Sequence, residues 1–377
     1  MVRRRSLPSR PALTADEREQ VLRAGREAGL AAVGSCSARP WTGPRAVLER
    51  RRDAGMAAGM AFTYKNPARS TDPSRILRSA ASIVVGVHGY SQTVVAPDGV
   101  DRPTARIARY ATADHYGRLA AGLEAMAGEL RSLGHRAVVM ADDNSLVDRE
   151  AAWRAGVGWY GKNSLLLLPG RGSWFVLGSV ITDAVITHVP SPEPDGCGTC
   201  TRCLDGCPTG AIVAPGVVDA RRCLAWLLQA PGEFPPAYRT ALGDRIYGCD
   251  DCQEVCPPNR TVELRSRRGE PWPVEADPGP TIDALELLAL DDAALLERCS
   301  RWYLPDRDPA VVRRNLLIVL GNSGRGDHAG VIAAVSAYAL GPDPLLAEHA
   351  RWALDRLGIS SVSAAAPVSG DAGVDRR

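Results

Sequence analysis

Two runs of closely spaced cysteines constrain this 377-residue chain more than any other feature of its sequence. Eight of its ten cysteines lie between residues 197 and 256. The first run has the spacing Cys-x2-Cys-x2-Cys-x3-Cys-Pro, the second has Cys-x2-Cys-x3-Cys-Pro, and Cys223 lies between them. One tight loop can supply three thiolates to a 4Fe–4S cluster, and in two-cluster proteins the fourth thiolate comes from the other run. The spacing therefore predicts a ferredoxin-like domain with two 4Fe–4S clusters.

The same exchange of ligands between the two runs assigns four cysteines to each cluster. The predicted ligands of the first cluster are Cys197, Cys200, Cys203 and Cys256. The predicted ligands of the second cluster are Cys207, Cys223, Cys249 and Cys252.

Zinc binding and disulfide bonding are the alternative explanations for these cysteines. Zinc sites usually combine two separated Cys-x2-Cys pairs, and disulfides form in oxidising compartments. Neither needs a third cysteine at the same x2 spacing or a Cys-Pro step at the end of each run. We therefore expect clusters, and with them a protein that transfers single electrons.

Charge and hydropathy limit the partners that this chain can have. The 45 basic and 43 acidic residues leave a formal charge of +2, so a nucleic acid would have to bind at a local basic patch. No stretch approaches 18 uninterrupted apolar residues, and we expect no membrane span. The arginines near the N-terminus resemble an export signal, but no apolar segment follows them, so we expect a cytoplasmic protein. We also expect a monomer.

Four short apolar segments rich in β-branched residues alternate with helical patterns in the first half of the chain. They are residues 30–33, 82–87, 136–141 and 174–181. This alternation predicts an α/β domain whose sheet is mixed rather than purely parallel. The last three helical segments of the chain resemble a short HEAT-type repeat. The predicted divisions are an α/β domain at 1–190, the ferredoxin-like domain at 191–258, a helical region at 259–360 and a disordered tail at 361–377.

Two adjacent aspartates, Asp142 and Asp143, directly follow the predicted strand at 136–141. Ligand crevices of α/β sheets open at such strand ends, so a carboxyl group there is a candidate catalytic acid. An aspartate in this position is also a common cap of the helix that follows. The residues alone leave both interpretations open.

Gly156, Gly158 and Gly161 match the Gly-x-Gly-x-x-Gly fingerprint of dinucleotide-binding proteins. That fingerprint must follow a strand and begin a helix, whereas here a helical pattern precedes it and a strand pattern follows. We therefore expect no nicotinamide site, and we expect these glycines to let the backbone approach another large ligand.

Arginines and aromatic residues crowd the beginning of the C-terminal helical region. They are Arg260, Arg265, Arg267, Arg268, Arg298, Arg301, Arg313 and Arg314, with Trp272, Trp302 and Tyr303. Solvated helix faces explain many such runs, but the combination also suits RNA phosphates and unstacked bases. We expect an RNA interface here, with Arg313 and Arg314 contacting phosphate.

Several longer motifs, spread over nearly the whole chain, resemble the epoxyqueuosine reductases. The motifs are residues 154–163, 172–178, 197–211, 222–224 and 247–257. The resemblance implies a nitroreductase-like α/β domain that binds cobalamin, two clusters that supply its electrons, and a HEAT-like region that helps to bind tRNA. It implies an oxidoreductase that reduces epoxyqueuosine to queuosine at the wobble position, in a tRNA anticodon stem-loop. An external carrier such as flavodoxin or ferredoxin would donate the electrons.

The resemblance also implies roles for individual residues. In that family the catalytic acid lies seven residues before an arginine, and counting back from Arg149 gives Asp142, with Asp143 as the alternative. The implied cobalamin-binding residues are Arg69, Ile107, Asp142, Leu166, Leu177 and Asp250.

Two other functional classes share part of this pattern. Corrinoid reductive dehalogenases also combine two clusters with cobalamin, but they are typically exported and lack a HEAT-like RNA-binding region. A ferredoxin-like electron carrier needs the clusters but has no use for an α/β domain of about 190 residues.

Overall fold

The computed structural model describes residues 11–60, 62, 64–90, 102–187, 192–267 and 279–359. These residues form two compact units. The first unit contains the described residues up to position 96 and those of 108–227 and 249–280. The second unit contains the described residues of 97–107, 228–248 and 281–377. The predicted tail at 361–377 lies outside the described residues, and the predicted domain boundaries stay predictions.

The regular elements of both units are short. The strands are β1 (Ala32–Ser37), β2 (Ser82–Gly89), β3 (Thr104–Ile107), β4 (Ala137–Ala141), β5 (Trp159–Tyr160), β6 (Leu166–Leu167), β7 (Phe175–Thr182), β8 (Ile212–Ala214), β9 (Val217–Val218), β10 (Arg245–Tyr247) and β11 (Thr281–Asp283). The helices are α1 (Ala15–Glu27), α2 (Thr42–Asp53), α3 (Pro67–Ser70), α4 (His115–Ser132), α5 (Asp148–Arg154), α6 (Arg202–Asp205), α7 (Leu224–Leu227), α8 (Pro236–Leu242), α9 (Asp251–Glu254), α10 (Pro257–Arg267), α11 (Ala284–Ala289), α12 (Asp292–Arg298), α13 (Ala310–Asn322), α14 (Ala329–Ala339) and α15 (Pro344–Arg356). Three single 3₁₀ turns add Pro73–Arg75, Arg109–Ala111 and Pro305–Arg307.

The first unit is built on a four-stranded sheet with the order β1-β2-β7-β4. All three strand pairs are antiparallel, so the mixed sheet predicted for this part of the chain is wrong. Each excursion between neighbouring strands returns the chain to the end of the sheet that it left, as when Ser37 ends β1 opposite Ser82 at the beginning of β2. Alternating strands and helices indicate a sheet covered by helices but do not fix the direction of its strands.

Both faces of this sheet are buried, which explains the continuous apolar run of β2. On one face Val84 packs with Leu119, Leu123 and other residues of α1 and α4. On the other face Ile83 and Val85 pack with residues of α5 and of the loop before it. The sheet ends, rather than its faces, are therefore left for function.

The second unit combines a small sheet with the C-terminal helices. Its strand order is β10-β3-β11, with a parallel and an antiparallel pair. Helix α13 is buried along most of its length and packs with α15 and β10. Asn315 of α13 donates hydrogen bonds to the carbonyl oxygens of Leu228 and Ile246, which fixes the helix to this sheet region. No helix in the described part of the chain is long and apolar enough to cross a bilayer.

Candidate cluster and active site

The seven cysteines of the two runs and Cys223 are all partly exposed, and none forms a disulfide. Short helices and turns present them: Cys203 lies in α6 and Cys252 in α9. In the first run the N–H of Cys200 donates to the carbonyl oxygen of Cys197 at 3.0 Å, which closes a tight turn. The local fold thus supplies several thiols from one small loop, as a cluster requires.

Electrostatic interactions among the thiols follow two groups. Burial, with smaller contributions from Cys197, Cys203 and Cys200, raises the pKa of Cys256 to about 11, although Cys256 is distant from these three in sequence. These four are the predicted ligands of the first cluster.

The second group has the same character. Burial raises the pKa of Cys223, and Cys207 adds to that effect. Burial raises the pKa of Cys252 well above its usual value, with Cys249 and Cys223 the strongest charged neighbours. Binding of iron would replace these buried protons by a metal, which removes the cost of an isolated buried thiolate.

The four cysteines of the first group line a cavity of about 90 Å³. A single water needs roughly 10–15 Å³ on this measure, so the cavity suits a polyatomic group. Lys162 borders it and donates to the carbonyl oxygens of Gly198 at 2.6 Å and Cys200 at 2.9 Å. Across residues 11–60, 62, 64–90, 102–187, 192–267 and 279–359, no three His, Cys, Asp or Glu side chains are arranged to hold one metal ion. Four thiols around a cavity larger than a single water fit a 4Fe–4S cluster.

A buried polar network fixes the second cysteine run to the α/β sheet. Asn259 accepts the N–H of Ser173 at 2.6 Å and donates to the Ser173 hydroxyl and the Gln253 carbonyl oxygen, both at 2.9 Å. Gln253 accepts from the Ser173 hydroxyl and donates to Asp250. A Cβ at Gly172 would lie 2.0 Å from the Asn259 amide oxygen, so this contact requires glycine. The sequence pattern does not predict this network, because its members are ordinary polar residues in separate segments.

The end of β4 separates the roles of the two adjacent aspartates. Asp143 accepts the N–H of Ser145 at 2.6 Å in the turn before α5, and it does not cap that helix, whose N-cap residue Val147 makes no side-chain capping hydrogen bond. Asp142 has the left-handed φ of 52°, which is unusual for a residue other than glycine. Burial, and then the charge of Asp143, raises the pKa of Asp142. This environment thus favours the protonated form of the Asp142 carboxyl group.

A third carboxyl group, Asp148, was not predicted from the sequence. It begins α5 and accepts a hydrogen bond from the buried Ser179 hydroxyl at 3.1 Å. Burial raises its pKa to about 8, Ser179 opposes this, and Asp143 adds to it. An aspartate in the first turn of a helix is common, because it interacts favourably with the helix dipole. The sequence alone therefore gives no sign that Asp148 is buried.

The implied cobalamin-binding residues occupy different environments. Arg69 is exposed in the last turn of α3, and Leu177 is partly buried on β7. The Leu166 side chain is only 2% exposed and belongs to the core, so it offers little apolar surface to a ligand. Asp250 is buried and accepts the N–H of Arg109 at 2.8 Å. Ile107 lies in β3, which belongs to the second unit.

The glycines at 156–161 have a packing role within the hairpin. A Cβ at Gly158 would lie 2.1 Å from the Leu167 carbonyl oxygen, and one at Gly161 would lie 2.3 Å from the Leu167 side chain. These two glycines therefore allow the β5–β6 hairpin to pack on itself. Gly161 also lines the cavity that the four cysteines form, and the approach of a large ligand to these glycines stays a prediction.

The prediction that Arg313 and Arg314 contact phosphate is wrong. Arg314 is fully buried and donates to the carbonyl oxygens of Ala230 at 2.8 Å and Gly232 at 2.5 Å. Arg313 is 9% exposed and is paired with Asp292. Neither side chain is available to phosphate.

The rest of the predicted arginine–aromatic group is divided. Trp302 is buried and stacks on Tyr247 with ring centroids 4.6 Å apart. The exposed members are Arg260, Arg265, Arg298, Arg301 and Tyr303. Arg268, Trp272 and the side chain of Arg267 lie outside the described residues.

Comparison with known proteins identifies the chain. Residues 196–259 match the model of the 4Fe-4S double cluster binding domain. The epoxyqueuosine reductase of Vibrio cholerae is 34% identical over 337 residues, covering 87% of this chain and 89% of that protein. That of Burkholderia pseudomallei is 32% identical, covering 93% and 95%.

Solved structures agree with these relatives. The crystal structure of an epoxyqueuosine reductase with an epoxyqueuosine-modified tRNA-Tyr stem loop has a TM-score of 0.80 to this chain at 28% identity, covering 91% and 90%. The structure of the enzyme from Streptococcus thermophilus has a TM-score of 0.79. The chain therefore carries a domain for two 4Fe–4S clusters, and it belongs to the epoxyqueuosine reductase family of oxidoreductases.

Proposed function

We propose that this enzyme reduces epoxyqueuosine to queuosine at the wobble position of tRNA, with cobalamin and two 4Fe–4S clusters as its cofactors. The observation that carries the proposal is the match over 91% of the chain to an epoxyqueuosine reductase bound to a modified tRNA stem loop. The reaction turns an epoxide into an alkene. It consumes two electrons and two protons, and the oxygen leaves as water.

The clusters suit the electron supply, because each carries one electron and the reaction needs two. Cobalamin, when bound and reduced, supplies a strong nucleophile, and that chemistry belongs to the cofactor. The task left to the protein is to hold the substrate, exclude water and deliver protons.

We place the cobalamin-binding edge in the first unit, near the end of β4 and the turn at Ser164. Asp142 and Ser164 both have left-handed backbones, with φ of 52° and 64°, and such strain persists mainly at functional sites. The Ser164 hydroxyl is buried and has no hydrogen-bond partner within the described segments, and the amide side chains of a corrin offer acceptors for it. Arg149 joins the two segments by donating to the Ser164 carbonyl oxygen at 2.6 Å.

The remaining cofactor contacts in this proposal are those implied by the family. In the first unit they are Arg69, Leu177 and Asp250, with Leu166 contributing through its backbone. Ile107 stays a prediction from the resemblance.

Asp142 is the proposed proton donor to the departing oxygen. A general acid must hold its proton near neutral pH, and burial beside Asp143 raises the pKa of Asp142. The hydrogen bond from Ser145 occupies Asp143, whereas no hydrogen bond or ion pair within the described residues occupies Asp142. Asp142 is therefore the better placed of the two.

The setting of the enzyme is also proposed. We infer a nitroreductase-like first domain and a HEAT-like C-terminal region, which is supported by the packing of α13 and α14 against α15. We further propose a cytoplasmic monomer that takes electrons from a flavodoxin or ferredoxin. Single-stranded bases of an anticodon loop can be turned into a pocket, which the substrate position requires.

A direct assay tests the proposed function. Anaerobically purified enzyme with cobalamin and a low-potential reductant should remove one oxygen atom from epoxyqueuosine in tRNA, measured by mass spectrometry of the digested nucleosides. The expected product is queuosine. Enzyme that holds both cofactors yet leaves the epoxide intact would contradict the proposal.

A further inference from the structure

Arg222 lies beside two predicted ligands of the second cluster and forms no direct ion pair among the described residues. It directly precedes Cys223, and its carbonyl oxygen accepts the Thr209 hydroxyl at 2.5 Å. Its Nε is buried and has no hydrogen-bond partner among the described residues. Buried guanidinium donors are normally satisfied, so this orphan donor needs an explanation.

The Arg222 guanidinium packs close to the turn that follows Cys207. The N–H of Ala211 donates to the Cys207 Sγ at 3.2 Å, which holds the thiol against this turn. A Cβ at Gly210 would lie 3.2 Å from Nη2 of Arg222, and Gly210 has a φ of 60°. Glycine at this position therefore serves both the turn and the close approach of the guanidinium.

The neighbouring arginine, Arg221, differs from Arg222 because it forms a direct ion pair. Arg221 is paired with Asp219 through contacts of 2.7–3.2 Å, and its side chain is 54% exposed. Asp219 is thus paired directly with Arg221 and attracts Arg222 only from a greater distance. No acidic group in the described part of the chain forms a direct ion pair with Arg222, so its charge is only partly compensated next to Cys207 and Cys223.

We propose that Arg222 is a tuning residue that raises the reduction potential of the cluster ligated by Cys207 and Cys223. Reduction adds one negative charge to a cluster that already carries four thiolates. A fixed cation in a partly buried site stabilises the reduced form more than the oxidised form. The electron comes from the external one-electron donor and leaves for the next redox centre, so Arg222 changes no bond and transfers no proton.

The inference rests on the proposed function only through the clusters, and its test needs neither tRNA nor cobalamin. Wild type, Arg222→Gln, Arg222→Lys and Arg221→Gln would be titrated with redox mediators, and the reduced clusters followed by electron paramagnetic resonance. Arg221→Gln is the matched control, since it removes the same charge one residue away at an exposed, paired position.

Arg222→Gln should lower one of the two cluster midpoints. At the wild-type midpoint we expect the ratio of reduced to oxidised cluster to fall about tenfold, equivalent to about 59 mV for a one-electron couple. Arg222→Lys keeps the charge and should shift the midpoint less. Arg221→Gln should have little effect, because solvent screens that charge.

Two results would overturn the inference: an unchanged midpoint in Arg222→Gln, or an equal shift in Arg221→Gln. If Arg222→Gln fails to assemble the second cluster, iron content decides instead. Loss of iron in Arg222→Gln with retention in Arg222→Lys and Arg221→Gln supports a role for this charge. Equal loss in all three variants contradicts it.

Discussion

Replacement of Asp148 by Asn should change how the stability of the first unit depends on pH. The Asp148 carboxyl group is buried beside Ser179, and burial raises its pKa to about 8. In the unfolded chain an aspartate has a pKa of about 4. Between these two values the folded protein keeps a proton that the unfolded protein has released.

The sign and size of the effect follow from proton linkage. Because the folded pKa is raised, the stability associated with this group is fully present below about pH 4 and is lost as pH rises towards about 8. The slope is about 1.4 kcal/mol per pH unit. Wild type should therefore lose about 2–3 kcal/mol relative to Asp148→Asn between about pH 6 and about pH 8.

Anaerobic thermal unfolding of both proteins across this pH range measures the difference. The Asn variant should unfold at a relatively higher temperature as pH rises, by a few degrees at about pH 8. Asp16→Asn is the control, since Asp16 lies in the same unit but is exposed on α1. A gap between wild type and Asp148→Asn that does not vary with pH would refute the buried, protonated carboxyl. A protonated Asp148 should also give an infrared carbonyl band at neutral pH that disappears in Asp148→Asn. If wild type shows no such band, the carboxyl group is not protonated.

Three further variants test other parts of the structure. Cys207→Ala should lose the second cluster and lower the iron content from about eight to about four per chain, measured anaerobically. Arg314→Met should destabilise the second unit by about 2–4 kcal/mol, measured by denaturant unfolding, because it leaves buried carbonyl oxygens without donors. It should not weaken tRNA binding by the folded fraction. Gly158→Ala should prevent correct folding, because its Cβ would overlap the Leu167 carbonyl oxygen, and reduced soluble yield would show this.

Each of these variants has an informative control or contrary outcome. Gly128→Ala, in α4 with no atom within 4 Å of the new Cβ, should fold normally. Near-stoichiometric zinc in place of iron would contradict the cluster assignment. A stable Arg314→Met with weaker tRNA binding would mean that this arginine reaches the RNA.

Local patterns predicted much of the secondary structure. The last three helical segments predicted for the chain are observed as α13, α14 and α15. Thr14 and Glu17 form a capping box with reciprocal contacts at the beginning of α1. These features depend on neighbours within one turn, so the sequence contains the information that determines them. Family membership, predicted from longer motifs, is confirmed by relatives that cover most of the chain.

Features that depend on tertiary packing were not predictable in the same way. Arg314 and Arg301 look alike in the sequence, but only the structure places one against backbone carbonyl oxygens and the other on the surface. The burial of Asp148 depends on β7, which follows it by many residues. The unpartnered donor of Arg222 becomes visible only beside the turn at Gly210. In each case the deciding contact joins segments distant in sequence.

Single-turnover conversion of epoxyqueuosine in tRNA by wild type, Asp142→Asn and Asp143→Asn tests the central claim most directly. Wild type should form queuosine, and Asp142→Asn should be slower by about a hundredfold or more while keeping its iron, its cobalamin and its tRNA affinity. Asp143→Asn should react at nearly the wild-type rate, since the Asp143 side chain accepts the N–H of Ser145. Wild-type enzyme that forms no queuosine, or an Asp142→Asn variant that reacts as fast as wild type, would contradict the account.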